Sequence, residues 1–192
     1  MRVNEPSPDP AAQSKYQVRF DWGRRGAGRI AEGVRLLVWV DVLPGTGSLP
    51  SASIVGLAPQ RAAVLESGLV DASATARWIL AEQERLGERA FIAIVAAGDA
   101  EAGFSADDLL GAGAVIDALA ALGIDDSSPE AAVAASAFGG LRRAVRHLTS
   151  ASASGRAASA AGMSIGELHD AAALDASEAA RVLRGGAEAS VD

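Results

Sequence analysis

Six acidic residues fall near the ends of short apolar runs or at the start of a helical segment: Asp21, Asp41, Asp99, Glu101, Asp107 and Asp108. A set of carboxylate oxygens suits a hard cation such as Mg2+, which keeps several waters and takes one or two protein carboxylates together with substrate phosphate. Asp41 stands apart from the others. It closes residues 34–41 (VRLLVWVD), a run that reads as a strand buried on both faces and leaves its last residue no capping duty. Asp107 and Asp108 have a second account, because they follow Ser105 in the first turn of a helix, where acids are favoured by the helix dipole alone. Glu101 reads as solvated loop charge.

The complementary chemistry is cationic. Within an acidic chain the stretch 15–35 is locally basic, with Arg19, Arg24, Arg25, Arg29 and Arg35, and Arg61 follows Gly56 in what reads as the first turn of a helix. Guanidinium forks and helix N-termini both match oxyanions, so a small anionic phosphorylated metabolite is the expected ligand, with Arg61, Arg24, Ser154 and Arg156 as its contacts. Pairing with Glu32 and other acids is the alternative for Arg24, Arg25 and Arg29. A plain helix cap is the alternative for Ser154.

Other motifs are incomplete. Gly45-Thr-Gly47 lacks the Lys-Ser/Thr ending of a phosphate-binding loop, and residues 23–28 lack the spacing of a dinucleotide fingerprint. His147 and His169 lie far apart in helical segments, with no neighbouring nucleophile.

Composition narrows the classes further. The 192 residues suit one domain with a substantial core, and the net charge of -7 argues against nucleic acid or an anionic membrane as partner. The absence of cysteine excludes a disulfide scaffold, a thiolate nucleophile and a cysteine zinc site, and makes the cytoplasm the expected location. No apolar run reaches membrane-spanning length without a charge or glycine. A homo-oligomer is compatible with all of this.

The elements that must position these residues alternate in type. Residues 16–20 and 34–41 read as strands with an arginine-rich helix over 23–33 between them, and the short apolar runs 53–56 and 91–95 read as two more. Helical periodicity covers 58–67 and 72–87, with Gly68 and Gly87 as stops. From Ser105 onward helices are expected at 105–122, 129–148, 164–173 and 177–184. The fold class is therefore α/β: three layers, α/β/α, around a mostly parallel or mixed sheet with a helix-rich C-terminal half. One domain spans 15–184, between a disordered leader, 1–14, and a disordered tail, 185–192.

Several segments then occur in a familiar order: Phe20-Asp-Trp-Gly23, Val38-Trp-Val-Asp-Val-Leu43, Ala96-Ala-Gly98, the segment FSADDLLGAG beginning at Phe104, Ser154-Gly-Arg156 and Leu174-Asp175. The chain resembles the 2-phosphosulfolactate phosphatases, as a shortened, divergent bacterial member, over about residues 16–183. The resemblance implies an α/β, Mg2+-dependent phosphatase that releases phosphate from 2-phospho-3-sulfolactate on the route to coenzyme M. It implies Asp41 and Asp21 as catalytic residues, Asp41, Asp107 and Asp108 as metal ligands, and Arg61 with neighbouring arginines as the substrate clamp. The departures are specific. Pro44-Gly-Thr-Gly47 stands where the family carries Arg-Ala-Thr/Ser-Thr, a long middle section is missing, and the family's cysteine falls at Gly111. The alternative function is a catalytically degenerate relative that binds a metabolite or self-associates.

Overall fold

The computed structural model describes residues 9–45, 48–99 and 103–186. Its centre is a mixed five-stranded sheet in the order β1-β4-β2-β3-β5, made of β1 (Val18–Trp22), β2 (Leu36–Val40), β3 (Ala63–Ser67), β4 (Ile92–Ala96) and β5 (Arg181–Arg184). The first four strands are mutually parallel, and β5 runs antiparallel along β3. β2 lies between β4 and β3, with Val38 level with Ile94 on one side and Leu65 on the other, and all five of its residues are buried. A strand packed on both faces can use an unbroken apolar run, as LLVWV does.

Alternate residues of that run serve different layers. Leu36, Val38 and Val40 belong to one core with α3 (Ala72–Leu86), α4 (Ala106–Ala121) and α5 (Pro129–Leu141). Leu37 and Trp39 belong to a second, smaller core with α1 (Gly23–Ile30) and α2 (Ser51–Val55). Each fully buried Leu or Ile contributes roughly 1.5–3 kcal/mol, so the two cores fix the sheet between two helical layers. Beyond α5, a 3-10 turn leads to α6 (Val145–Ala151), α7 (Ala153–Ala160) and α8 (Ile165–Ala171), and α6 packs on α4. The three-layer α/β/α architecture is thus present. Among the described residues no helix is long and apolar enough to cross a membrane.

Four expected elements are corrected. Residues 53–55 lie in helix α2 with Gly56 as its C-cap, and the strand of this region is Ala63–Ser67, inside the segment expected to be helical. Both runs are short, and periodicity alone does not separate a five-residue strand from a turn of buried helix. Register against β2 decides it: Ala63, Val64 and Leu65 are all buried beside Leu36, Leu37 and Val38. Residues 181–184 pair with β3 instead of closing a helix, another case of tertiary pairing overriding local propensity. The expected helix 129–148 is broken into α5, the 3-10 turn and α6.

Part of the segment expected as a leader, residues 9–14, falls within the described residues. Residues 10–12 make a 3-10 turn capped by Asp9, and the buried Gln13 exchanges hydrogen bonds with the Phe20 backbone, its amide donating to the carbonyl at 2.8 Å and its oxygen accepting from the N–H at 2.9 Å. A side-chain amide thereby imitates a neighbouring strand along β1. Residues 1–8 and 187–192, together with Glu101, Thr46 and Gly47, lie outside the described residues.

Helix α4 is seated by glycine. A Cβ at Gly113 would stand 2.2 Å from the Ala134 carbonyl oxygen of α5, and one at Gly111 would stand 2.7 Å from Val42 and 2.9 Å from Val40. We expect Gly113→Ala to lower unfolding free energy by about 3 kcal/mol or more, since a backbone carbonyl must move. Gly139→Ala meets open space in α5 and should raise it by about 0.5–1 kcal/mol. Urea denaturation of both variants checks the contrast.

Candidate functional site

The parallel strands deliver their carboxyl ends to one edge of the sheet: Trp22, Val40, Ser67 and Ala96. The chain leaves β2 toward α2 on one face and leaves β4 toward α4 on the other, a reversal of the kind beside which α/β sheets bind ligands. Asp108, in the first turn of α4, lies at the exits of those two strands. One of its oxygens accepts the Val42 N–H at 2.8 Å and the other accepts the Gly98 N–H at 2.9 Å. Its carboxylate is therefore a bridge between the exits of β2 and β4. Burial, and then the neighbouring charge of Asp107, push its pKa up to about 8, while the two backbone N–H groups pull the other way.

Asp107 is also buried, and the Ser105 hydroxyl donates to one of its oxygens at 2.5 Å. Ser105 is the residue before α4 but makes no side-chain cap to the helix backbone. Its hydroxyl also meets the Ser154 hydroxyl at 3.1 Å, which brings the start of α7 to the carboxylates. Asp41 lies at the end of β2, partly buried, and accepts the Ser48 hydroxyl at 2.6 Å. Burial raises its pKa, the Ser48 bond opposes that, Asp107 raises it further and Arg181 lowers it. Asp41, Asp107 and Asp108 are thus coupled electrostatically. Among the described residues, no group of three or more His, Cys, Asp or Glu side chains is assembled as a ready-made metal cage.

Two cavities adjoin Asp41. One, of about 240 Å³, is lined by Asp41, Val42, Gly68, Val70, Asp71 and Arg181 among others. The smaller, about 70 Å³, shares Asp41 and Arg181 and adds Ser48, Glu66 and Ser67. Asp71, with its side chain 1% exposed, organises their far wall. One oxygen accepts the Gly68 N–H at 2.8 Å and the Ser67 hydroxyl at 3.0 Å, and the other takes the Arg181 Nε at 2.8 Å.

The expected site residues divide accordingly. Asp41, Asp107, Asp108 and Ser154 are brought together. Asp21 is not: it is level with Val95, which is level with Trp39, so it stands two strands across from β2 and short of Asp41. It forms a paired ion bridge with Arg29, at 2.7 and 2.8 Å, beneath Gly26, and one oxygen also takes the Trp22 N–H. Arg61 precedes β3 and therefore sits at the opposite, amino-terminal edge of the sheet. Its displacement follows directly from the exchange of helix and strand between residues 51 and 67. Arg24 is exposed on the first turn of α1, and Arg156 donates to the Ala151 carbonyl at 2.6 Å. Neither lines the described cavities.

Asp71, Ser48 and Arg181 are site residues that sequence patterns did not single out. Arg181 was hidden by the helical character of 177–184. Asp71 had a weak signal, an acid between a Gly and the start of a helix that looks like an ordinary N-cap, although it makes no side-chain cap there. The chain matches no protein-family model and no curated protein.

Asp108 generates a stability prediction. Its folded pKa lies above the value of about 3.9 expected for an unfolded aspartate, so between those values the native state holds the extra proton and stability falls as pH rises. The difference in unfolding free energy between the wild type and Asp108→Asn should therefore shrink from pH 5 to pH 8. Asp108→Ala, which strands two N–H groups, should cost about 2–4 kcal/mol at pH 5.5. Urea titrations at both pH values read out each expectation.

Proposed function

We propose that this protein is a Mg2+-dependent phosphatase of small phosphorylated acids, related to the 2-phosphosulfolactate phosphatases and working in the cytoplasm. The observation that carries the reading is Asp41: a carboxylate at the end of the central strand, lining both cavities, with one oxygen outside any hydrogen bond among the described residues. Asp107 likewise keeps an oxygen beyond its bond from Ser105. An oxygen-only pair with spare acceptor capacity fits Mg2+, so Asp41 and Asp107 are the proposed direct ligands. Asp108 does not fit that part, because both of its oxygens already serve backbone N–H groups; its proposed role is to hold Val42 and Gly98 in place.

Bound there, the cation would offset carboxylate charge and polarise phosphoryl oxygens. The chain's own residues do the remainder. Ser48 orients Asp41, Ser105 and Ser154 orient Asp107, and Asp108 fixes the two strand exits. Three acids in mutual electrostatic range, two of them buried, are unfavourable unless a proton or a cation offsets their charge. That is the physical support for a cation in this position.

A second reading, a non-catalytic relative that binds a metabolite or self-associates, is favoured by a specific observation. Arg24, Arg61 and Arg156, the arginines expected to clamp substrate, do not line the groove. Phosphate release from a panel of small esters that includes 2-phospho-3-sulfolactate separates the two. The phosphatase reading expects Mg2+-dependent turnover that falls at least about 100-fold in Asp41→Asn, with Asp21→Asn close to wild type. No release from any ester would leave the binding reading. Mg2+ should also raise the melting temperature more at pH 8 than at pH 6, because the neighbouring Asp108, pushed up to about 8 by burial and by Asp107, loses its proton over that range and its charge then favours a cation beside it; scanning calorimetry checks this.

A further inference from the structure

Arg181 is the cationic side chain shared by both cavities at Asp41. It reaches the groove from β5, the antiparallel edge strand, and one corner of its guanidinium is fixed: Nε donates to Asp71 at 2.8 Å. Asp71 is itself immobilised by the Gly68 N–H and the Ser67 hydroxyl. The terminal nitrogens of Arg181 make no hydrogen bond among the described residues, and its side chain is 46% exposed. A simple structural tie between β5 and the start of α3 would need only the Nε contact. Here the rest of the fork is left over the groove, beside Gly68, where an ideal Cβ would stand 3.8 Å from one terminal nitrogen.

We propose that Arg181 is the oxyanion-binding residue of this groove and that Asp71 is its positioning residue. The ligand class is a small acid carrying a phosphate, sulfonate or carboxylate group, opposite the carboxylate side formed by Asp41. Cavities of about 240 and 70 Å³ suit a compact metabolite, being smaller than the space a drug-sized ligand occupies. Asp41, Asp71 and Glu66 outnumber Arg181 around the groove, so an anion is held well only when a cation offsets Asp41. This dependence rests on the phosphatase reading; the role of Arg181 as the anion contact does not.

The test uses inorganic phosphate, methanesulfonate and acetate as probes, each with and without Mg2+, on the full chain. In the wild type, the side-chain nitrogen resonances of Arg181 should shift on adding at least one probe, more strongly with Mg2+, and the probe that shifts them identifies the oxyanion seated there. By calorimetry, Arg181→Gln should weaken binding of that probe at least about tenfold, with Arg181→Lys intermediate because it keeps the charge and loses the fork. Mg2+ affinity should be undiminished in both. If no probe moves the Arg181 resonances, or if Arg181→Gln and Arg181→Lys bind as tightly as wild type, the proposal is overturned, whatever the esters do. The resonance measurement stands even where Arg181→Gln fails to fold. Conversely, anion binding through Arg181 in a protein that hydrolyses no ester would sink the phosphatase reading and leave this one intact.

Discussion

Asp108 accepts one N–H from the exit of β2 and one from the exit of β4, and the positions of the other groups follow from that pair of bonds. In a parallel sheet the central strands end at the same level but send their chains to opposite faces, and nothing in the strand ladder itself controls what happens beyond the last pairing. A carboxylate with two acceptor oxygens can hold both exits at once. It also fixes the amino end of α4, since Asp108 lies in that helix's first turn. Ser105 and Asp107 are thereby set beside these exits, and Val42 is set against Gly111. The cost is a buried acid next to two others, held in its protonated form up to a pH of about 8.

That cost shapes the electrostatics of the whole edge. Asp41 and Asp108 are both driven toward the protonated form by burial and by Asp107, and the opposing pull on Asp41 comes from Ser48 and from Arg181 across the groove. Arg181 cannot neutralise the cluster alone, because Asp71 already holds its Nε. The edge thus contains a carboxylate side with unmet demand for positive charge and an arginine side with donors to spare. Such a division suits a ligand that brings both signs, a cation with an oxyanion.

The sequence made some of this legible and concealed the rest for identifiable reasons. β2 was readable because a strand buried on both faces needs no alternation, and a β-branched and aromatic run such as LLVWV suits a central strand better than a helix or a loop. α3 and α4 were readable from length and from Gly87, which adopts φ +65° at the end of α3. The segment from 51 to 67 was not, because two five-residue elements of opposite type carry similar small apolar residues and only pairing with β2 distinguishes them. One such exchange moved Arg61 to the wrong edge of the sheet. A second, at 181–184, removed Arg181 from view, since a four-residue edge strand depends on its neighbour for its existence. Asp41, Asp107 and Asp108 could be picked out because they are local to long, well-marked elements; their counter-charge could not, because it arrives far along the chain, at Arg181.

The departures from the resembled family gain a physical meaning from the packing of α4. Gly111, where the family's cysteine falls, has no room for a Cβ without displacing Val40 or Val42, both buried and both stiff at χ1. A cysteine there would require α4 to stand farther from β2, so the glycine is what lets helix and strand exit approach each other. The same close packing sets Val42 against Asp108 and Leu43 in the core, leaving exposed Pro44 and Gly45 to begin the loop. A long side chain launched from that loop would compete with Ser48 for Asp41. Arg181 reaches the groove from the opposite side, anchored to Asp71, and leaves the Ser48 contact undisturbed. Positive charge therefore reaches the groove from β5 and not from the loop after β2, and the close seating of α4 on β2 leaves that supply undisturbed.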